Sequence, residues 1–130
     1  MNRSVIALAA LAAAALAVAG ASAAPVARGG NGCPTTALLP LDADAIGPSV
    51  SAAFSADPAK NRPQVVGAML AAQDTDRGPQ VKRDCGTRVW QRTVVVYITD
   101  RAFLPSASIS ERVLFVGRTP AGYRVWQRAH

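Results

Sequence analysis

The side chains best suited to chemistry in this sequence are the arginines and tryptophans of a pentapeptide that occurs twice. The copies read Arg88-Val89-Trp90-Gln91-Arg92 and Arg124-Val125-Trp126-Gln127-Arg128. Both are typical of β-strands, in which residues two apart share a face. An arginine beside a tryptophan on one face can stack on its ring, and such a row can bind sugars, bases or phosphates. The predicted ligand-binding residues are Arg88, Trp90, Arg92, Arg124, Trp126 and Arg128.

The same rows also have a structural interpretation, in which both tryptophans fill the core and the arginine heads reach water. The segment Thr119-Pro120-Ala121-Gly122 predicts a tight turn and therefore an antiparallel hairpin. That hairpin places Trp126 opposite Phe115 or one position away, and Arg124 near Gly117. A tryptophan beside a phenylalanine favours the core, but the sequence leaves both interpretations open.

Other residues that catalyse reactions or bind metals are few. His130 is the only histidine and the last residue, so a Ser/His/Asp or Cys/His set would depend on a terminal imidazole. Asp74 and Asp76 lie in a predicted turn without the other ligands of a calcium loop. We expect no catalytic residue, no metal and no cofactor, and hence a non-enzymatic binding or interaction protein.

Two alternatives to a binding protein remain open. One is a small secreted enzyme, which would need polar groups such as Tyr97, Asp100 and Arg112 to converge in a cavity of the sheet. The other is a protease inhibitor that acts through a protruding loop at residues 103–109.

The N-terminus predicts export. Arg3 precedes an apolar run over residues 5–19, and Ala21-Ser22-Ala23 is a small-x-small cleavage site. The run is too short to span a bilayer, which needs roughly 20 residues, so we expect no stable membrane anchor. We therefore predict a cleaved signal peptide at 1–23, a flexible lead at 24–34 and a single domain at 35–130. The location would be extracellular, or periplasmic if the host has an outer membrane.

Two cysteines remain after the predicted cleavage, Cys33 and Cys85. In an oxidising compartment they predict one disulfide. A loop of that length restricts the unfolded chain by about 4 kcal/mol in the chain-entropy account.

The positive charge is concentrated in the C-terminal part of the chain. From residue 80 onward nine lysines and arginines face three acidic residues, within a net charge of +6 for the whole chain. Such a field favours acidic partners, either an anionic polymer or an acidic protein. The alternative is a secreted protein whose arginine-rich surface reflects composition alone.

The periodicity predicts an α+β fold, with one or two N-terminal helices packed on a four-stranded antiparallel meander. The first helix would be capped by Asp42 or Asp44, end at Asp57-Pro58 and bury a stripe on one side. The second helix would cover 63–73 and end at the break around Gly78-Pro79. The predicted strands are 80–85, 88–99, 111–118 and 123–128. The predicted stripe of the first helix is Ile46, Val50, Ala53 and Phe54.

Two of the predicted strands are apolar at every position of their centres, Val94 to Ile98 and Val113 to Val116. An antiparallel sheet with one wet face should alternate instead. Both faces should therefore be covered, which suggests a homodimer or a closed cleft.

This order of elements resembles the cystatin-like and nuclear-transport-factor-like α+β folds, in which a curved sheet wraps a helix and leaves a cone-shaped cavity. The C-terminal part also resembles a group of small, uncharacterised secreted actinobacterial proteins. That second resemblance covers under half of the chain and implies no known activity. It rests on Cys85-Gly86, both pentapeptides, Pro105-Ser106-Ala107-Ser108 and Gly122-Tyr123-Arg124-Val125-Trp126.

Overall fold

A computed structural model describes residues 29, 32–57, 63–100 and 111–130. The predicted signal peptide, most of the predicted flexible lead and the 103–109 loop lie outside these residues. The described part is an α+β fold, and its four strands form one antiparallel sheet in the order β1-β2-β3-β4. The elements in chain order are α1 (Ile46–Ala56), β1 (Pro63–Leu70), α2 (Gly78–Gln91), β2 (Thr93–Asp100), β3 (Glu111–Thr119) and β4 (Gly122–Ala129).

The two central strands, β2 and β3, are buried on both faces, as their unbroken apolar runs predicted. Val94 and Val96 pack in a cluster with α1, whereas Val95 packs in a second cluster with α2. The sheet therefore lies between the two helices. Because α2 covers the second face, the apolar runs no longer require a second subunit or a closed cleft. A homodimer stays a prediction.

The hairpin between β3 and β4 confirms the predicted turn and contains a β-bulge. Val116 pairs with Val125 and Phe115 pairs with Gln127, so Trp126 is the extra residue. The ring centroids of Phe115 and Trp126 lie 5.4 Å apart, and Trp126 is one position away from the residue paired with Phe115. The predicted approach of two aromatic rings is thus confirmed.

The bulge overturns the predicted row in the second pentapeptide. Arg124 pairs with Gly117, as predicted, on the face covered by α2. Arg128 pairs with Leu114, whose side chain belongs to the cluster under α1. The extra residue interrupts the alternation of a strand, so Arg124 and Arg128 lie on opposite faces.

Helix α2 covers residues 78–91, so the strands predicted at 80–85 and at the start of 88–99 are wrong, and the first pentapeptide is helical up to Gln91. The pentapeptide ends α2, which begins at Gly78-Pro79, where the sequence predicted that a helix would end, and Pro79 lies in the first turn, where its missing amide costs no hydrogen bond within the helix. Val81, Cys85 and Val89 contact the sheet at a spacing of four residues. Gly86, with φ of +85°, separates α2 into two short helical segments.

The predicted second helix at 63–73 is also wrong, because this segment forms the edge strand β1. Its register shifts between Val65 and Gly67, and Val66 is the extra residue of a bulge, 59% exposed. Val65, Ala68 and Leu70 consequently face α1 together. The extra residue thus breaks the two-residue alternation of faces by which a strand is recognised from its sequence.

Helix α1 begins and ends close to the predicted bounds but is rotated relative to the predicted stripe. Ala45 is its N-cap without a side-chain hydrogen bond, so the expected capping by an aspartate is absent from this helix. Ala53 is buried as predicted, whereas Ile46 and Phe54 are 36% and 40% exposed. Helix α1 therefore presents two large apolar side chains to solvent.

A segment that we call the strap, residues 33–45, joins the two layers. The predicted disulfide between Cys33 and Cys85 is confirmed and fixes the strap to α2. Leu38 then packs on Gly117, where any added Cβ would lie 2.7 Å from the leucine side chain. Leu39 forms a bridge with Arg118 at the end of the sheet, and Ala45 joins the cluster under α1. Within the described residues, neither helix is long and apolar enough to cross a membrane.

Candidate functional site

Both tryptophans of the doubled pentapeptide pack inside the molecule rather than on a flat platform. Trp126 is 1% exposed beneath α2. Trp90 is half-buried, and its Nε1 donates a 3.0 Å hydrogen bond to the carbonyl oxygen of Ala71. The two Arg-Trp-Arg rows expected on strands therefore do not form, although ligand binding by the arginines stays a prediction.

The basic residues divide into two groups when their acidic neighbours are considered. Four arginines lie within 4 Å of a carboxylate. The other lysines and arginines of the described ranges form no such ion pair. The paired residues are Arg77, Arg83, Arg112 and Arg118, and the unpaired residues are Lys82, Arg88, Arg92, Arg124 and Arg128.

Four of the five unpaired cations belong to the layer that contains α2. Lys82 and Arg88 are exposed on the helix, and the Lys82 Nζ lies 4.5 Å above the Trp90 ring. Arg124 extends from β4 toward the same side and donates a 2.9 Å hydrogen bond to the carbonyl of Tyr123. We call Lys82, Arg88 and Arg124 the basic face. Arg92, the fourth, is recessed at the end of α2.

Arg128, the fifth unpaired cation, lies on the other side of the sheet. Its Nη2 donates a hydrogen bond to the carbonyl oxygen of Ala56, the last residue of α1. Like Arg88, it is exposed to solvent. The sheet thus separates it from the basic face.

A cleft of about 650 Å³ opens where the strap passes the ends of β1 and α2. It contains apolar side chains from the strap, α1 and β1, together with polar side chains from the turn after β1 and from the end of α2. The lining residues are Pro40, Leu41, Asp42, Ala43, Ala45, Ile46, Ala68, Met69, Leu70, Gln73, Gln91 and Arg92.

The acidic residue of this cleft, Asp42, has its charge compensated by neighbours. Arg118 Nη1 lies 2.8 Å from one carboxylate oxygen, and the Tyr123 hydroxyl donates a 3.2 Å hydrogen bond to the other. Burial raises the pKa of Tyr123 above its ordinary value, so its hydroxyl stays protonated at neutral pH. Asp42 therefore ties the strap to the hairpin.

A second polar cluster joins Asp74 to Tyr97. The Tyr97 hydroxyl donates a 2.6 Å hydrogen bond to Oδ2 of Asp74, which is 5% exposed. The backbone amides of Asp76 and Arg77 both donate to Oδ1 at 2.9 Å. Burial opposes ionisation of Asp74, but the hydrogen bonds from Tyr97 and the two amides together hold its pKa below the ordinary value. Burial and the bond to Asp74 raise the pKa of Tyr97.

These shifts describe a structural contact rather than a catalytic pair. A carboxylate with a lowered pKa stays ionised, and a tyrosine with a raised pKa stays protonated, so neither is tuned to exchange protons near neutral pH. The contact fastens the turn before α2 to the middle of β2.

The three polar groups of the enzyme alternative do not all meet at one place, because Tyr97 is separated from Arg112 by the sheet. Tyr97 lies on the α2 side of the sheet, whereas Arg112 pairs with Ile98 in register and lies on the α1 side. Arg112 donates bidentate hydrogen bonds of 2.9 and 2.8 Å to the buried Asp57. Across the described ranges no three His, Cys, Asp or Glu side chains form a group that could hold a metal ion.

The sequence reasoning missed both the Asp57–Arg112 pair and the Asp74–Tyr97 contact. Each joins residues that are distant in the chain, and no local spacing predicts them. Asp74 did carry one usable signal, since an aspartate shortly before a helix that begins with proline commonly accepts hydrogen bonds from the backbone amides there.

No protein-family model, no curated protein and no solved structure matches the chain. The cystatin-like or nuclear-transport-factor-like subtype and the resemblance to the small actinobacterial proteins therefore remain predictions.

Proposed function

We propose that this chain is a secreted, non-enzymatic binding protein that holds an anionic polymer on its basic face. The observation that carries the proposal is the segregation of unpaired charge. Lys82, Arg88 and Arg124 lie in the α2 layer without a carboxylate within ion-pairing distance in the described residues. A cation that no protein carboxylate neutralises is available to an external anion.

The layer that contains α2, and with it the basic face, is held in place by a disulfide and a hydrogen bond. The Cys33–Cys85 disulfide fixes α2 to the strap, and Asp74 fixes the turn before it to β2. The Trp90 ring beneath Lys82 holds that ammonium over a half-buried surface. Binding groups on a braced element lose less conformational entropy when a ligand binds.

A repeating anion suits this face better than a single charge. The three cations stand on two elements, a helix and a strand, and each is a separate point of contact. Neutralising several charges on a polyanion releases its counterions, which makes the affinity fall steeply as salt increases. The disulfide is consistent with an oxidising compartment, and the N-terminal apolar run supports export there.

The test is titration of the chain from residue 24 with inorganic polyphosphate at increasing sodium chloride concentrations. The proposal predicts binding at low salt and a negative slope of log affinity against log salt. Absence of binding at low salt would refute an anionic polymer ligand, and an affinity independent of salt would refute the electrostatic face.

A further inference from the structure

The cleft beside the strap has an apolar wall from the strap, α1 and β1 and a polar wall from the turn after β1 and the end of α2, and none of its lining residues belongs to the basic face. Leu41 and Leu70 provide apolar surface from the strap and from β1. Ile46 lines the same cleft and is 36% exposed, although it is a large apolar side chain. An isoleucine exposed in a concave surface offers area that a ligand can remove from water.

The polar wall is dominated by Arg92. Arg92 is a half-buried residue, and its Nη1 donates a hydrogen bond to the carbonyl oxygen of Leu38. A guanidinium has five N–H donors, so this bond leaves most of them for other partners. No ion pair within the described ranges includes Arg92.

The remaining charged group of the cleft does not cancel that of Arg92. Asp42 is held by Arg118 and by Tyr123, as described above. The side chains of Gln73 and Gln91 line the same wall and can donate further hydrogen bonds to an anion. The wall therefore combines one guanidinium with two amides.

We infer that this cleft binds an amphiphile that has a single oxyanion head group, a carboxylate or a phosphate monoester, on an apolar body. The head group lies on Arg92, because a guanidinium fork matches the oxygen spacing of both anions. The apolar body covers Ile46, Leu41 and Leu70. The volume of about 650 Å³ lies within the range of small-molecule sites, roughly 300–1,000 Å³.

Three probes with the same ten-carbon body test the inference: decanoate, decyl phosphate and decanol, each below its micelle concentration. Calorimetric titration should show that at least one of the two anions binds tenfold or more tightly than decanol. The tighter of the two anions identifies the head group. Amide NMR spectra should show that the side-chain signals of Gln73 and Gln91 shift when the anion is added.

Two variants and a control locate the site. Arg92→Gln should weaken anion binding tenfold or more and leave decanol unaffected. Ile46→Gln should weaken all binding several-fold and, because Ile46 is exposed, should leave the fold intact. Arg128→Gln removes an unpaired arginine that lies at the C-terminal end of α1, away from the cleft, and should leave the affinities of all three probes unchanged.

Three results would overturn the inference: neither anion binds, decanol binds as tightly as the anions, or the Gln73 and Gln91 signals stay in place. If Arg92→Gln fails to fold, Ile46→Gln decides, and unchanged affinity in that variant rejects the site. The outcome is independent of the proposed function, because Ile46→Gln leaves every residue of the basic face in place and should leave polyphosphate binding unchanged.

Discussion

The hydroxyl of Tyr97 donates a 2.6 Å hydrogen bond to the buried carboxylate of Asp74. Tyr97 stands in the central strand β2, and Asp74 begins the turn that leads into α2. This contact therefore holds the helix that carries most of the basic face at a fixed place on the sheet.

Tyr97→Phe should lower the free energy of unfolding by about 1.5–3 kcal/mol, the range for a hydrogen bond to a charged group. Urea unfolding monitored by circular dichroism measures the loss. Tyr123→Phe is the matched control, because its hydroxyl donates to the more exposed Asp42 and should cost about 1 kcal/mol or less. If both variants lost the same free energy of unfolding, the hydrogen bond to Asp74 would be no more stabilising than the one to Asp42, which would contradict the prediction.

The same pair sets a pH dependence of stability at both extremes. Asp74 has a lowered pKa in the folded chain. Its contribution to the free energy of unfolding is therefore complete above its pKa in the unfolded chain, about 3.9, and is lost as the pH falls through its pKa in the folded chain. Tyr97 has a raised pKa in the folded chain. Its contribution to the free energy of unfolding is therefore complete below its pKa in the unfolded chain, about 10, and is lost as the pH rises from there through its pKa in the folded chain.

Urea midpoints measured from acid to alkaline pH separate the two effects. Asp74→Asn should flatten the acid side of the profile, and Tyr97→Phe should flatten the alkaline side. An acid limb that keeps its wild-type steepness in Asp74→Asn would contradict the assignment.

Arg112→Met should destabilise the chain by about 3–5 kcal/mol, because it leaves the carboxylate of Asp57 buried without its guanidinium. The carboxylate side chain is 1% exposed, and that of Arg112 is 12% exposed. Arg83→Met breaks an exposed pair, with side chains 71% and 44% exposed, and should cost about 0–1 kcal/mol. Chemical unfolding of both variants checks the contrast. Similar losses would mean that burial of the pair is unimportant.

Gly78→Ala should displace the start of α2 and lower the thermal midpoint, because the new Cβ would lie 2.0 Å from the carbonyl oxygen of Ala71. That oxygen is the acceptor of the Trp90 indole, so the variant should also change the tryptophan fluorescence. Gly47→Ala is the control in α1, where an added Cβ meets no atom within 4 Å beyond its chain neighbours and its own helix backbone, and because Pro48 follows it the change should cost about 1 kcal/mol or less. Equal thermal midpoints for the two variants would contradict this close approach.

The parts of the fold that were predictable from sequence are those with a local signal of their own. The turn at Thr119 to Gly122 fixed the β3–β4 hairpin and its register near Arg124. The unbroken apolar run from Val94 to Ile98 indicated a strand covered on both faces, and two cysteines in a chain with a predicted export signal predicted the Cys33–Cys85 bond.

The errors arise where a bulge or a kink changes the period. In β1 the extra Val66 breaks the two-residue alternation that identifies a strand. In α2 the kink at Gly86 leaves two short segments, and the arginine- and valine-rich pentapeptide after it has no long helical stripe. Identical pentapeptides thus adopt different structures, because packing against the sheet outweighs local propensity.

The candidate sites were only partly predictable. Arg88, Arg92 and Arg124 do lie in one layer, but through a helix and a strand instead of two strands. Lys82 was not singled out, because nothing in its neighbours indicates that it stands over Trp90. The cleft was not predicted, because the strap, β1 and α2 meet there only in the folded chain.

The most direct test of the central claim compares polyphosphate binding by Arg88→Ala and Arg128→Ala, two exposed arginines without carboxylate partners on opposite sides of the sheet. Arg88→Ala should reduce the slope of log affinity against log salt by about 0.7, and the triple variant Lys82→Ala/Arg88→Ala/Arg124→Ala by about 2. Arg128→Ala should leave the slope unchanged. An equal effect of both single variants, or a triple variant that keeps the wild-type slope, would contradict a binding site on the basic face.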